Sequence, residues 1–331
     1  MSVICLGEAL FDLLANQPGV TLAQVTAWTA YPGGAPTNVA CGLAKLGTKV
    51  ALISCLGQDS VGQQISDLLA KERVNIIGIQ RHQTAPTRQI YVTRSLDGDR
   101  TFAGFINDLS SDQFADAYLA GDRIPESLFK DAKFLAIGTI SLATPISHAA
   151  TYKAIELAQK YHLQILIDVN WRDKFWDNKN RAKEVILELL TQANLIKMAK
   201  EEAQWLFDLP ESSSLAAIDI QLIQQRLPNI QGLFITDGSE GCKYSLNNLG
   251  GFVPAFKVNA IDTTGAGDSF VAALIYQLSQ QDIQTIQDDE TIEKIVKYAS
   301  AAGAITTLKA GAIDAQPTDD DIVNFLKVYP I

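Results

Sequence analysis

Short apolar runs recur along the chain at residues 3–6, 50–56, 134–137, 165–167, 195–196 and 233–235, each bounded by glycine, aspartate or lysine. Runs of this length with little alternation predict strands buried on both faces of a parallel sheet. Between them, apolar positions recur with helical spacing over 37–46, 61–71, 147–161, 181–192 and 201–207. Regular exchange of the two periods predicts an α/β fold, a doubly wound and mainly parallel sheet with helices on both faces.

Two segments break this rhythm. In residues 88–105, two β-prone arms flank Asp97-Gly98, a dipeptide suited to tight hairpin turns. Residues 12–32 have no helical period and contain Pro18-Gly19. Ribbons of this kind inserted in an α/β chain predict a small β-sheet lid over one edge of the main sheet. Later come an extended arm at 252–261, a glycine turn, and helices at 269–278 and 293–306, while 208–215 reads as a loop. With no internal repeat and no flexible linker, residues 1–331 are expected to form one domain carrying the lid.

Charge and composition narrow the partners. The chain of 331 residues has 37 acidic and 27 basic side chains, a net charge of −10. Without a basic run it lacks the electrostatic footprint for nucleic acid or an anionic membrane surface. A few local donors can still hold a small anion. The four cysteines form no CxxC pair and read as buried free thiols of a reducing cytoplasm. No HExxH or Cys/His cluster suggests zinc. No run approaches the ~18 apolar residues of a membrane span, and the N-terminus does not resemble a signal peptide. A cytoplasmic protein is expected.

In open α/β sheets, ligands bind beyond the carboxyl ends of the strands. Those ends here carry Gly7-Glu8 and Asp12, then Asp168-Val-Asn170-Trp-Arg172, then Lys197 and Glu202, then Thr236, Gly238 and Gly241. Each alone could serve as a cap or turn residue; together they point to a site. The strongest local signal is AIDTTGAGDSF at 260–270. Gly265-Ala266-Gly267 lets successive backbone N–H groups converge at a helix N-terminus, where they and the helix dipole favour an anion. Asp268 in the first helical turn then suits a general base, although dipole complementation alone would also explain an acid there. In YPGGAPTNVACGLAKLG at 31–47, Gly33 and Gly34 permit close backbone approach and Asn38 falls in the first helical turn. The P-loop pattern GxxxxGK[ST], a GxGxxG fingerprint after the first strand and a GxSxG elbow are all absent.

These residues together resemble the PfkB (ribokinase-like) family of carbohydrate kinases over the whole chain. Gly33 to Asn38 resembles its N-terminal signature in the fructokinase form, GGAP-x-N. Asp262 to Phe270 resembles its C-terminal signature, DTxGAGD. Asp168 to Arg172 is similar to the DPNLR stretch of fructokinases with Val169 in place of proline, and GAITTLKAGA at 303–312 resembles the family's nucleotide-pocket segment.

The resemblance implies a ribokinase-like fold and an ATP-dependent phosphotransferase acting on a sugar, most like a fructokinase, with Mg²⁺ and a monovalent cation such as K⁺. It implies Asp268 as the base, with Gly265, Ala266 and Gly267 as the anion hole. Asp12, Gly33, Gly34 and Asn38 would hold the sugar. Asn170, Arg172 and Lys197 would lie near the phosphates, with Arg172 neutralising charge. Thr236, Gly238, Gly241 and Ser300 would line the nucleotide pocket. Glu202 would help hold Mg²⁺ through waters, and Asp262 with Gly311 would border the monovalent ion. The lid would offer sheet edges for a homodimer.

Two positions depart from the family pattern. Ala199 stands where an NxxE metal motif has asparagine, and Ile106 stands near the lid arginine of fructokinases. A kinase of the same family for another ketose, ribose or a nucleoside is therefore an alternative reading. A non-catalytic sugar- or nucleotide-binding regulator is a second, and a nicotinamide-dependent oxidoreductase, lacking its fingerprint, a third.

Overall fold

The computed structural model describes residues 2–96, 100–211, 213–227 and 229–329. In chain order the strands are β1 (Ser2–Leu6), β2 (Leu10–Ala15), β3 (Trp28–Gly33), β4 (Lys49–Gly57), β5 (Ile79–His82), β6 (Gln89–Arg94), β7 (Arg100–Phe105), β8 (Ala132–Gly138), β9 (Gln164–Asp168), β10 (Leu195–Ala199), β11 (Gly232–Asp237), β12 (Gly241–Leu246) and β13 (Leu249–Pro254). The helices are α1 (Ala35–Lys45), α2 (Ser60–Lys71), α3 (Pro145–Lys160), α4 (Lys179–Leu190), α5 (Lys200–Phe207), α6 (Ile220–Arg226), α7 (Ala266–Ser279), α8 (Asp289–Thr306), α9 (Ala312–Ala315) and α10 (Asp319–Val328).

Nine strands form one sheet in the order β13-β12-β11-β10-β9-β8-β1-β4-β5. Every neighbouring pair from β11 to β5 is parallel, whereas β11, β12 and β13 pair antiparallel. Side chains of β1 alternate between two cores. Val3 and Cys5 join the layer with Val271, Ile275 and Val296 of α7 and α8, while Ile4 and Leu6 join the layer with Ala154, Ile186 and Leu206 of α3, α4 and α5. Burial on both faces is why these strands read as unbroken apolar runs. The chain order reverses between β1 and β8, so a crevice opens at that switch point, with the ends of β9 and β10 further along the same edge.

The lid is a separate four-stranded sheet, β3-β2-β6-β7. Its arms β6 and β7 pair antiparallel as expected, although the turn residues Asp97 and Gly98 lie outside the described residues. The two ribbons meet along a parallel pair, β2 with β6, rather than antiparallel. The reason is geometric: β2 continues from β1 and β6 from β5, two strands of one parallel sheet, so both leave it in the same direction. Leu10, Ile90, Ile140 and Phe175 seal the lid to the main body. The expected extended arm at 252–261 is shorter, because β13 ends at Pro254 and residues 255–260 leave the sheet to border a cavity. All four cysteines are buried and free. Among the described residues, no helix is long and apolar enough to cross a membrane.

Candidate active site

The site is built around the start of α7. Gly265 caps the helix with φ +77°, and a Cβ there would stand 2.7 Å from Ala312 Cβ, so only glycine fits this turn. Helix starts leave their first N–H groups without intrahelical acceptors. Ala266 N–H bonds back to Thr263 O at 3.3 Å, whereas those of Gly265 and Gly267 have no acceptor among the described residues. Asp268 follows in the first turn, and Asn38 Nδ2 donates to its Oδ2 at 2.7 Å. Asn38 is delivered by α1, whose own start is a second glycine turn. Gly34 has φ +99°, and a Cβ would meet Glu8 O at 2.5 Å. Glu8 Oε1 accepts Ala35 N–H at 2.9 Å, and Glu8 O accepts the Thr37 hydroxyl at 3.0 Å.

Burial pushes the Asp268 carboxyl up to about 6, aided by the charge of Asp168 and opposed by the Asn38 hydrogen bond, Lys197 and Arg172. Lys197 Nζ and Asp168 Oδ1 form a buried ion pair at 3.0 Å. Burial pulls the ammonium down, but Asp168 and Glu202 outweigh it and leave its pKa above the ordinary value. This cation borders the glycine turn: a Cβ on Gly267 would lie 3.1 Å from Lys197 Nζ. Arg172 is exposed and donates to Trp171 O at 3.0 Å, and Asn170 adopts φ +36° at the turn between β9 and that loop.

Thr236, Gly238, Gly241 and Ser300 converge on one cavity of about 770 Å³, which reaches Ala266 and Gly267 of the same turn. Asp237 and Glu240 border it too, and Lys200, ion-paired to each, offsets one of their two charges. On the lid side, a Cβ on Gly33 would lie 3.2 Å from Asp12 Oδ2, which places these two together. Asp262 Oδ1 accepts the Thr264 N–H and hydroxyl at 3.0 and 2.8 Å, and its Oδ2 accepts Gly311 N–H at 2.9 Å. The pair Asp262–Gly311 thus ties the glycine turn to the segment after α8.

No three or more His, Cys, Asp or Glu side chains among the described residues are grouped to cage a metal. Glu202 is buried and raised by that burial, and it spends one oxygen on each of two backbone donors, Trp171 N–H at 2.8 Å and Ala199 N–H at 2.7 Å. Its visible work is to clamp the loop carrying Asn170 and Arg172 to α5. Asp168 Oδ2 is buried without a hydrogen-bond partner among the described residues, so it is the open oxygen of the cluster. This donor set suits a cation that arrives already bound to phosphates, the usual state of Mg²⁺ in kinases.

Sequence reasoning assigned no role to Glu8 or Asp168, although both stand at strand ends, the signal that exposed the other residues. The buried pair Arg88–Asp116, at 2.7 Å, gave less warning. Its guanidinium also packs over Phe105, Phe114 and Phe175 at 5.3, 4.6 and 4.9 Å, joining lid to body through residues far apart in the chain.

Known proteins share this fold. The family model "pfkB family carbohydrate kinase" matches residues 1–319. Probable fructokinase-2 of Arabidopsis thaliana is 35% identical over 326 residues, covering 98% of this chain and 96% of its own. The structure of fructokinase with bound ATP from Xylella fastidiosa superposes with TM-score 0.87 at 30% identity, covering 99% of this chain and 98% of that one. A double mutant of Vibrio cholerae O395 fructokinase in fructose, ADP and potassium ion bound form gives TM-score 0.82 at 27% identity, covering 98% of each. The chain belongs to the pfkB family of carbohydrate kinases and is a sugar kinase, a phosphotransferase.

Proposed function

We propose that the protein transfers the γ-phosphoryl group of ATP to fructose, giving ADP and fructose 6-phosphate, with Asp268 as general base. One observation carries the reading. A carboxylate poised near pH 6 stands in the first turn of a helix whose glycine N–H groups have no acceptor among the described residues, beside a buried lysine and a cavity sized for a nucleotide. The fructokinase relatives support the choice of sugar, and the Xylella and Vibrio structures support ATP and ADP as the nucleotides.

Phosphoryl transfer asks the protein for positioning and charge neutralisation more than covalent work. Asp12, Gly33, Gly34 and Asn38 would orient the sugar. The Asn38 amide occupies Asp268 Oδ2, which leaves Oδ1 to take the proton from the attacking hydroxyl. The hydroxyl oxygen forms the new bond to the γ-phosphorus as the bond to the β-phosphate bridging oxygen breaks. Gly265 and Gly267 N–H groups, Lys197 and Arg172 would offset charge on the transferring group, with Ala266 N–H joining once it exchanges Thr263 O for the anion. Thr236, Gly238, Gly241 and Ser300 would hold the nucleoside end, with Asn170 nearer the phosphates. Asp168 and Glu202 would hold Mg²⁺ directly or through waters; when bound, it supplies Lewis-acid neutralisation of the phosphates. The Asp262–Gly311 junction would border a monovalent cation beside the anion hole.

One observation favours a second sugar. Ile106, buried at the end of β7, offers no charge where fructokinases carry a lid arginine. A coupled ADP-release screen over fructose, ribose, glucose, tagatose and adenosine decides between them. Fructose is expected to be the best acceptor and turnover to require Mg²⁺. Another acceptor exceeding fructose tenfold in kcat/KM would overturn the fructose assignment, and ADP release with none of them would overturn the kinase reading.

A further inference from the structure

The segment from Gly311 to Gln316 meets the glycine turn, α1 and the small sheet. Gly311 N–H is held by Asp262, whose other oxygen anchors Thr264 at the entry to the anion hole. Ala312 packs directly against Gly265, leaving no room for a side chain there. Gln316 Nε2 donates to Asn38 O at 2.8 Å, and Lys45 Nζ donates to Ile313 O, so the segment also grips α1. The lid reaches the same segment, because β3 packs on α9. Its contact is Tyr31: a Cβ on Gly311 would lie 3.4 Å from Tyr31 Cδ1 and 3.5 Å from Cε1. Tyr31 is paired directly opposite Asp12 across β2–β3, and directly opposed residues of an antiparallel pair share one face. A group that engages Asp12 therefore meets the same face of the sheet as the Tyr31 ring beside Gly311.

We propose that Tyr31 is a positioning residue through which sugar on the lid sets the anion hole and the base, with residues 311–316 as the relay. This rests on the sugar-kinase reading above. The device needs no contact between Tyr31 and the reacting atoms. It needs the ring to seat the Gly311 turn, so that Asp262, Gly265 and Asn38 adopt their working geometry together when the lid closes. Sugar and nucleotide should then bind with positive coupling, and coupling of this kind is reciprocal.

The test is calorimetric titration of a non-hydrolysable ATP analogue with Mg²⁺, with and without saturating fructose, alongside steady-state kinetics. In the wild type, fructose should tighten nucleotide binding by at least ~5-fold, the lower end of common coupling energies. Tyr31→Ala should bring that factor close to one and lower kcat by ~10-fold or more, while each ligand alone binds nearly as before. Tyr31→Phe keeps the ring and should restore both. If Tyr31→Ala does not fold, Tyr31→Leu carries the same measurements. Retained coupling and kcat in the alanine or leucine variant would overturn the relay. So would absence of coupling in the wild type, failure of rescue by phenylalanine, or a loss confined to fructose affinity. A wild type that phosphorylates no sugar would instead defeat the reading beneath it.

Discussion

Asn38 and Asp268, 230 positions apart in the chain, meet at 2.7 Å through the side-chain amide of one and Oδ2 of the other. Helices α1 and α7 pack side by side, so two glycine turns from opposite ends of the sequence open onto one point. An amide donor is well matched to this task. It orients the carboxylate and favours its charged form without being a competing acid. Burial and the Asp168 charge act the other way and prevail, leaving Asp268 near 6.

Asp268→Asn should abolish chemistry and spare binding. The amide keeps the shape of the carboxylate but accepts no proton, and general bases typically contribute ~10²–10⁴-fold. We expect kcat to fall by that order with much smaller changes in KM and in melting temperature. If the residue only complements the helix dipole, the cost would be ~0.3–1 kcal/mol of stability with turnover nearly intact. Kinetics and melting of the one variant separate the two, and retention of more than a tenth of kcat refutes the base assignment.

The pH profile of kcat/KM reports the free enzyme's base. With Asp268 raised to about 6, the rate should be flat near neutrality and fall about tenfold per pH unit below that value, as protonation removes the acceptor. A profile that stays flat down to the ordinary carboxyl range would mean that this group does not carry the proton.

Glu8→Gln tests a buried carboxyl. Burial lifts Glu8 from 4.5 to about 7, against the hydrogen bonds it accepts, and its Oε2 has no partner among the described residues. A native state that binds the proton more tightly than the unfolded chain loses stability as pH rises between those values. The whole effect is ~3 kcal/mol at about 1.4 kcal/mol per unit. The substituted amide would keep an acceptor for Ala35 N–H and stay neutral throughout. The melting temperature of the wild type relative to the variant should therefore drop between about pH 4.5 and 7 and level off above it. A constant difference would place the Glu8 carboxyl at an ordinary value.

Much of the fold was legible in local pattern. Six of the seven strands in the parallel part, and the helices between them, carry burial in their own composition, because strands covered on both faces must be apolar throughout; β5, a half-buried edge strand, does not. β12, with Lys243 and Ser245 between apolar residues, lies outside the parallel core and lacks that signature. The glycine turn at 265–267 was legible because a helix that starts on φ +77° against a neighbouring Cβ leaves only glycine. Glu202 was legible as a carboxylate near the site, but not as a clamp on Trp171 and Ala199, since that depends on where two backbone N–H groups come to rest.

Local pattern alone places the candidate residues: short apolar runs set the sheet, and the ends of those runs hold the carboxylates, amides, lysine and glycines. How these groups act on one another is settled by the folded arrangement. The raised pKa of Asp268 comes from burial and from Asp168, which stands at the end of another element, β9. The open oxygen of Asp168 exists because Lys197 takes the other. The small sheet comes close to the start of α9 because Tyr31 of β3 lies beside Gly311. Hydrophobic periodicity is a local property that each segment carries alone, whereas electrostatic coupling and packing fall off over a few ångströms and depend on which distant segments share that space.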